Sequence, residues 1–218
     1  MAKTVAPAKP APRRSQAGRS AETRARILAA AVACVDELGF GRATFQRIAR
    51  RAGVTVGAVQ HHFAAKEDIL RAILEDSFER FSRCFEGVSV EGRSLESCVS
   101  VFVDRAWLHC SSPTFRSTVE ILLTTRGEGA ARGRHWTDAP LLESSERARR
   151  LWSSVFAAFA IPVEREREIL QFAFAALAGI AMTLRLQGSR AATDRQLALL
   201  KTSLTGLLEA VAARGRSS

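Results

Sequence analysis

Strand-like alternation of apolar and polar residues is absent from the 218 residues, and proline and glycine are few, at six and 14. That combination points away from turn-rich β architectures. None of the four cysteines (Cys34, Cys84, Cys98, Cys110) stands in a Cys-x-x-Cys pair, and each falls in or at the end of an apolar helical pattern. They read as reduced core residues of a cytosolic protein, not as a disulfide frame or a zinc site. His61 and His62 are neighbours and diverge on a helix, while His109 and His135 are isolated, so no metal set is expected. No Ser-His-Asp set, carboxylate pair or nucleotide loop has a supporting context. The stretch with Gly127, Gly129 and Gly133 follows no strand and ends in no Gly-Lys-Ser/Thr. The expectation is a protein that is not an enzyme and carries no cofactor. No run approaches the ~20 apolar residues of a membrane span. Arg13-Arg14 ahead of Ile27–Ala33 and Cys34 only superficially resembles an export signal, because the run continues as an amphipathic helix.

What is present is a period near 3.6, in a chain that is 47% hydrophobic. The fold class expected is all-α. Its most informative stretch is residues 44–63. Phe45, Ile48, Ala49 and Ala52 fall at i, i+3, i+4 and i+7, with Thr44 placed as an N-cap and Gly53 as the left-handed stop. Val54 plugs the corner, and Thr55 caps a second short helix. Val59 and Phe63 face inward, leaving Val56, Gly57, Gln60 and His61 outward. Two helices joined by a short Gly-containing turn form a helix-turn-helix, whose second helix enters the DNA major groove.

Charge sharpens this reading. Residues 1–66 carry 12 Lys and Arg against Glu22, Asp36 and Glu37, so +9 of the net +10 lies there. That is the footprint of a phosphate-binding surface. Residues 1–20 hold no acidic residue and cannot build a core; they are expected to be a disordered basic tail, either merely solvated or adding DNA contacts.

Residues 22–74 run Glu-Thr-Arg-Ala-Arg-Ile-Leu-Ala-Ala-Ala, then Leu-Gly-Phe, then Thr-Phe-Gln-Arg-Ile-Ala-Arg-Arg-Ala-Gly-Val-Thr-Val-Gly-Ala-Val-Gln-His-His-Phe and Lys-Glu-Asp-Ile-Leu. This quarter of the chain resembles the DNA-binding domain of the tetracycline-repressor (TetR) family of bacterial one-component regulators. The resemblance implies an all-helical homodimer, a double-stranded DNA operator, and a larger C-terminal domain whose small-molecule effector releases the protein from DNA. It also implies a pocket among helices four to eight and signal transmission through the connecting helix. One departure is Gln60, placed before His-His-Phe where the family mostly carries Tyr.

About nine helices are expected: 21–38, the pair in 44–63, 66–85, 94–110, one from 113, 140–160, 162–187 and 193–213. The domains expected are 21–66 for DNA binding, 67–86 as connecting helix, and 87–218 for effector binding and dimerisation. Residues 127–139 read as a loop. The last two helices are apolar on many sides and suit a four-helix interface across a twofold axis. Phe172, Ala176, Gly179, Leu197, Leu200, Leu204, Leu207 and Leu208 are its candidate residues.

The DNA-contact candidates are Thr44, Arg47, Thr55, Val56, Gly57, Gln60, His61 and Lys66. Caps and cations suit phosphates, and the Gln60 amide can read adenine through two hydrogen bonds. The aromatics Trp107, Phe115, Trp136, Trp152, Phe156, Phe172 and Phe174 are candidate walls of a mainly apolar effector pocket. A purely architectural DNA-binding protein remains the alternative, marked by a filled C-terminal core; a helical enzyme would need a titratable cluster.

Overall fold

The structure, a computed structural model, describes residues 16–129, 138–159 and 161–215. Among them are nine α-helices and no strand. Helix α1 spans Gln16–Leu38, so residues 16–20, expected in the tail, are helical. The correction has a local cause. Ala21, Glu22, Arg24 and Ala25 are good helix formers, so the helix extends beyond its buried stripe; Thr23 Oγ1 donates back to the Arg19 carbonyl at 2.9 Å within it. Gly39, with φ 81°, ends α1, and a short 3-10 turn follows at Phe40–Arg42.

Helices α2 (Phe45–Ala52) and α3 (Val56–His62) lie where expected. Helix α4, Lys66–Arg83, opens with the Asp68 carboxylate accepting from the Ala65 N–H at 3.0 Å. Ile27, Ala31, Ile48, Ala49, Val59, Phe63, Ile73 and Leu74 form the first core. Ile121, some 50 residues later, completes it.

That residue belongs to α6. Helix α5 spans Leu95–Cys110, capped by Ser94, and α6 spans Pro113–Gly129. The loop expected at 127–139 is shorter: 127–129 close α6, and α7 begins at Asp138 and runs to Val155. Helices α8 (Val163–Gln187) and α9 (Arg190–Gly215) form an antiparallel pair around Gly188 in the left-handed conformation. Ser189 caps α9 through its Oγ, which accepts from Ala192 N–H at 3.3 Å, moving the start three residues ahead of the expected one.

The second core is built by α4, α5, α7, α8 and α9 around Phe102 and Trp152, whose rings meet edge-to-face at 4.8 Å. It corrects part of the expected dimer stripe. Leu197, Leu200, Leu204 and Leu208 are buried within their own chain against α5 and α8. A helix with apolar residues on several faces has more than one 3.6-residue stripe, and this one faces inward. Outward stand Phe172, Gly179, Leu186, Leu199 and Leu207, with Ala176 half-buried. Helix α8 also corrects the expectation on long apolar runs. An 18-residue window in it has mean hydropathy 1.8, and only 33% of that window is buried, although Leu170, Ala173 and Leu177 pack in the core.

Candidate nucleic-acid interface and ligand cavity

In the helix-turn-helix, both threonine caps are formed. Thr44 Oγ1 accepts from the Arg47 N–H at 3.4 Å, and Thr55 Oγ1 accepts from the Ala58 N–H at 3.1 Å. Gly53 (φ 64°) lets the Val54 N–H return to the Ala49 carbonyl at 3.0 Å, which sets the turn. Ala49 is buried where the helices cross, so a larger side chain has no room. Thr44, Arg47, Thr55, Gly57, Gln60 and His61 are exposed. Val56 is only half-exposed, because it also leans on the first core. A Cβ added at Gly57 would meet only Thr55 Oγ1, at 3.9 Å. The chain's own packing therefore does not require this glycine, which costs a helix about 1 kcal/mol relative to Ala; room is left for an external backbone.

Lys66 has a structural attachment that its sequence position did not indicate. Its Nζ donates to the Phe40 carbonyl at 2.8 Å and lies 4.1 Å from the Phe40 ring centroid. The ammonium thus clasps the start of α4 to the 3-10 turn. Arg51 is held by a two-bond fork to Glu37, both at 2.6 Å, while Arg24 lies over the Phe63 ring at 4.9 Å.

A partly open cavity of about 520 Å³ lies between α4, α5, α6, α7 and α8. Of the expected wall residues, Phe115 and Phe174 line it. Trp152 and Phe156 do not: their rings meet at a tilt, centroids 4.3 Å apart, inside the second core. Trp107 packs beside that core, Phe172 projects from α8, and Trp136 lies outside the described residues. Large aromatics on a buried stripe fill space first, and sequence periodicity does not distinguish a filled core from a wall. Phe78, Phe81, Ser77, His109, Arg149 and Arg167 line the cavity unforeseen.

His109 is the notable one. It is buried beside Ser77, with Nε2 and Oγ 3.4 Å apart, and its ring meets Phe81 and Phe115 edge-on. Burial lowers its pKa to about 4, helped by Arg80 and opposed by Asp76, so the ring is neutral near pH 7. Burial instead raises the thiols; that of Cys110 is pushed up to about 12. A protonated thiol is a poor nucleophile, which leaves a redox role without chemical support.

Helix α6 touches both regions. Phe115, Thr118, Val119 and Leu122 face the cavity. Its other side carries Arg116, Ser117, Glu120 and Ile121. Arg116 donates twice to Asp36 of α1, at 2.7 and 2.8 Å, and Ser117 Oγ donates to the Val32 carbonyl at 3.0 Å. Glu120 accepts from the Phe40 N–H at 3.3 Å. Helix α6 therefore has one face on the cavity and another on α1 and the Phe40 turn.

Residues 27–73 match the family model described as bacterial regulatory proteins, tetR family. The chain is 36% identical to the HTH-type transcriptional regulator SrpR of Pseudomonas putida over 110 residues, covering 50% of each chain. It is 36% identical to TtgW, an HTH-type transcriptional regulator also from Pseudomonas putida, over 50% of this chain and 79% of that one. The match otherwise spans about half or less of the curated relatives' length. Among solved structures, TylP, a TetR regulator from Streptomyces fradiae, superposes with a TM-score of 0.64 at 24% identity, covering 91% of this chain and 96% of that one. A SmeT–triclosan complex superposes with 0.58 at 21% identity, covering 85% and 91%. At these identities the structural likeness carries the fold.

Proposed function

The chain belongs to the TetR family of bacterial regulatory proteins, and from that premise we propose that it is a homodimeric repressor released from a palindromic operator by a small, mainly apolar effector. The observation that carries the proposal is α6, which lines the cavity with one face and grips α1 and the Phe40 turn with the other. A ligand that moves this helix acts on the recognition helices without touching them. Coupling free energies of this kind are typically about 1–3 kcal/mol. Gly57 and Gln60, on the open face of α3, enter the major groove, with Val56 at its edge. The Thr44 and Thr55 caps, Arg47, His61 and Lys66 address the backbone. Lys66 does so from its seat on Phe40, so its charge comes from a fixed point.

The dimer forms through the outer faces of α8 and α9, where Phe172, Gly179, Leu186, Leu199 and Leu207 lie uncovered beside Ala176. An isologous contact would cover this apolar strip on both copies at once. A filled C-terminal core would have favoured a purely architectural protein; the cavity of about 520 Å³ favours a sensor. The test is operator titration by fluorescence anisotropy with and without a bound cavity ligand. Weakened operator binding supports the repressor reading. Unchanged binding on a saturated cavity contradicts it, and strengthened binding reverses the sign of regulation.

A further inference from the structure

The cavity is chemically polarised from its buried end to its exposed end. At the buried end Ser77 and His109 form one polar pair inside a wall of phenylalanines, Phe78, Phe81, Phe115 and Phe174. His109 Nδ1 is buried with no hydrogen-bond partner among the described residues, although the residue is only 6% exposed. A buried ring nitrogen left unpaired is unfavourable, so a ligand group that pairs with it gains affinity. Because the ring is neutral and Ser77 can donate or accept, Nδ1 is able to serve a hydroxyl or a carbonyl oxygen.

The exposed end is different. Arg149 and Arg167 stand there with Glu146. Glu146 is engaged with Arg149, its Oε2 accepting from Arg149 Nε at 3.1 Å. Arg167 is exposed and forms no ion pair among the described residues. The rim therefore has two guanidiniums against one carboxylate, a net positive charge beside an apolar interior. A neutral hydrocarbon leaves both ends unused, and an ammonium is repelled by the rim.

We propose that the effector is an amphipathic organic acid: its carboxylate lies at the rim with Arg149 and Arg167, its apolar body lies among the four phenylalanines, and an oxygen at its far end meets His109. This rests on the sensor reading above and adds the ligand class to it. Because Arg167 is exposed and Arg149 is shared with Glu146, the carboxylate's contribution is that of a solvent-screened ion pair, about severalfold in affinity.

The experiment is calorimetric titration of the full chain with decanoate, ω-hydroxydecanoate, decanamide and decylamine, each with operator release read in parallel. Decanoate is expected to bind severalfold tighter than decanamide, up to about fivefold, and decylamine weakest. The preference for the acid should shrink in high salt and in Arg167→Gln, an exposed position whose replacement does not threaten folding. ω-Hydroxydecanoate should bind better than decanoate, and His109→Phe should erase that gain while keeping the acid preference. If the amide or amine binds as well as the acid and releases the operator, the acid class is wrong and the sensor reading stands. If no member of the series binds, the proposed class is overturned. If acids bind with the expected preference yet leave operator affinity unchanged, the site assignment holds and the repressor reading fails.

Discussion

The guanidinium of Arg116 on α6 grips the carboxylate of Asp36 on α1 through two parallel hydrogen bonds, Nε to Oδ1 at 2.7 Å and Nη2 to Oδ2 at 2.8 Å. The side chains are only 20% and 11% exposed, so solvent screens the pair weakly. This fork links the cavity helix directly to α1. Arg116→Leu should cost on the order of 1.5–3 kcal/mol in urea unfolding, because it leaves the Asp36 carboxylate part-buried and unpaired. It should also reduce the ligand's effect on operator affinity more than it reduces ligand binding. A variant that loses stability but keeps full coupling would show that α6 communicates by another route.

The proposed dimer face is tested by two substitutions on the same helix. Leu199 is 68% exposed and Leu207 43%, whereas Leu204 is 1% exposed. Leu199→Glu with Leu207→Glu should leave a folded monomer with much weaker operator binding. Leu204→Glu should unfold the C-terminal half, since it puts a charge into the second core. Sedimentation velocity and circular dichroism separate the two effects. A dimer that survives the double change at 199 and 207 would place the interface elsewhere.

His109 makes stability depend on pH. Its folded pKa is depressed to about 4 from 6.5, so between those values the unfolded chain binds more protons than the folded one. The contribution is present above about pH 6.5 and is lost as pH falls through the window towards 4. The full effect is on the order of 3 kcal/mol. Urea denaturation across pH 4.5–7.5 should show stability rising with pH, and His109→Gln should flatten that slope. An equal slope in both proteins would mean that other groups set it.

The start of α4 separates charge from scaffold. Lys66→Ala removes both a phosphate partner and the clasp on Phe40, so it should weaken DNA binding on every sequence and loosen the Phe40 turn. Losing the Lys66 charge should lower the salt slope by about one phosphate's worth, ~0.9 in log–log units, whereas His61→Ala should weaken binding with salt slope and stability nearly unchanged. Salt titrations of both variants, together with thermal melts, measure the difference. A normal melt for Lys66→Ala would mean that the clasp contributes little.

How far the sequence could be read depended on whether a residue's role was local. Thr44, Gly53 and Thr55 act on backbone within four residues of themselves, so their spacing revealed the helix-turn-helix and its caps. Long-range roles were not legible. Arg116 and Asp36 are 80 residues apart, and no periodic pattern couples them. The stripe of Leu197, Leu200, Leu204 and Leu208 was visible, but an apolar stripe does not state whether its partner is its own chain or another copy. Trp152 and Phe156 were recognised as C-terminal aromatics and lie in the core. His109, isolated in sequence, gained meaning only when Ser77 and Phe115 were folded around it.

The central claim, that α3 reads a palindromic operator for a dimer, is most directly tested by binding-site selection from random DNA with the full chain and with Gln60→Ala. The account predicts an enriched inverted repeat whose half-sites present their major grooves about one turn, ~34–36 Å, apart or within reach of that spacing. It predicts that Gln60→Ala relaxes one base pair in each half-site, an adenine by the amide's hydrogen-bonding pattern, at a cost of about 1–3 kcal/mol on the preferred sequence. Failure to enrich any repeat, or identical sequence preferences for the two proteins, would contradict the reading of DNA by this face.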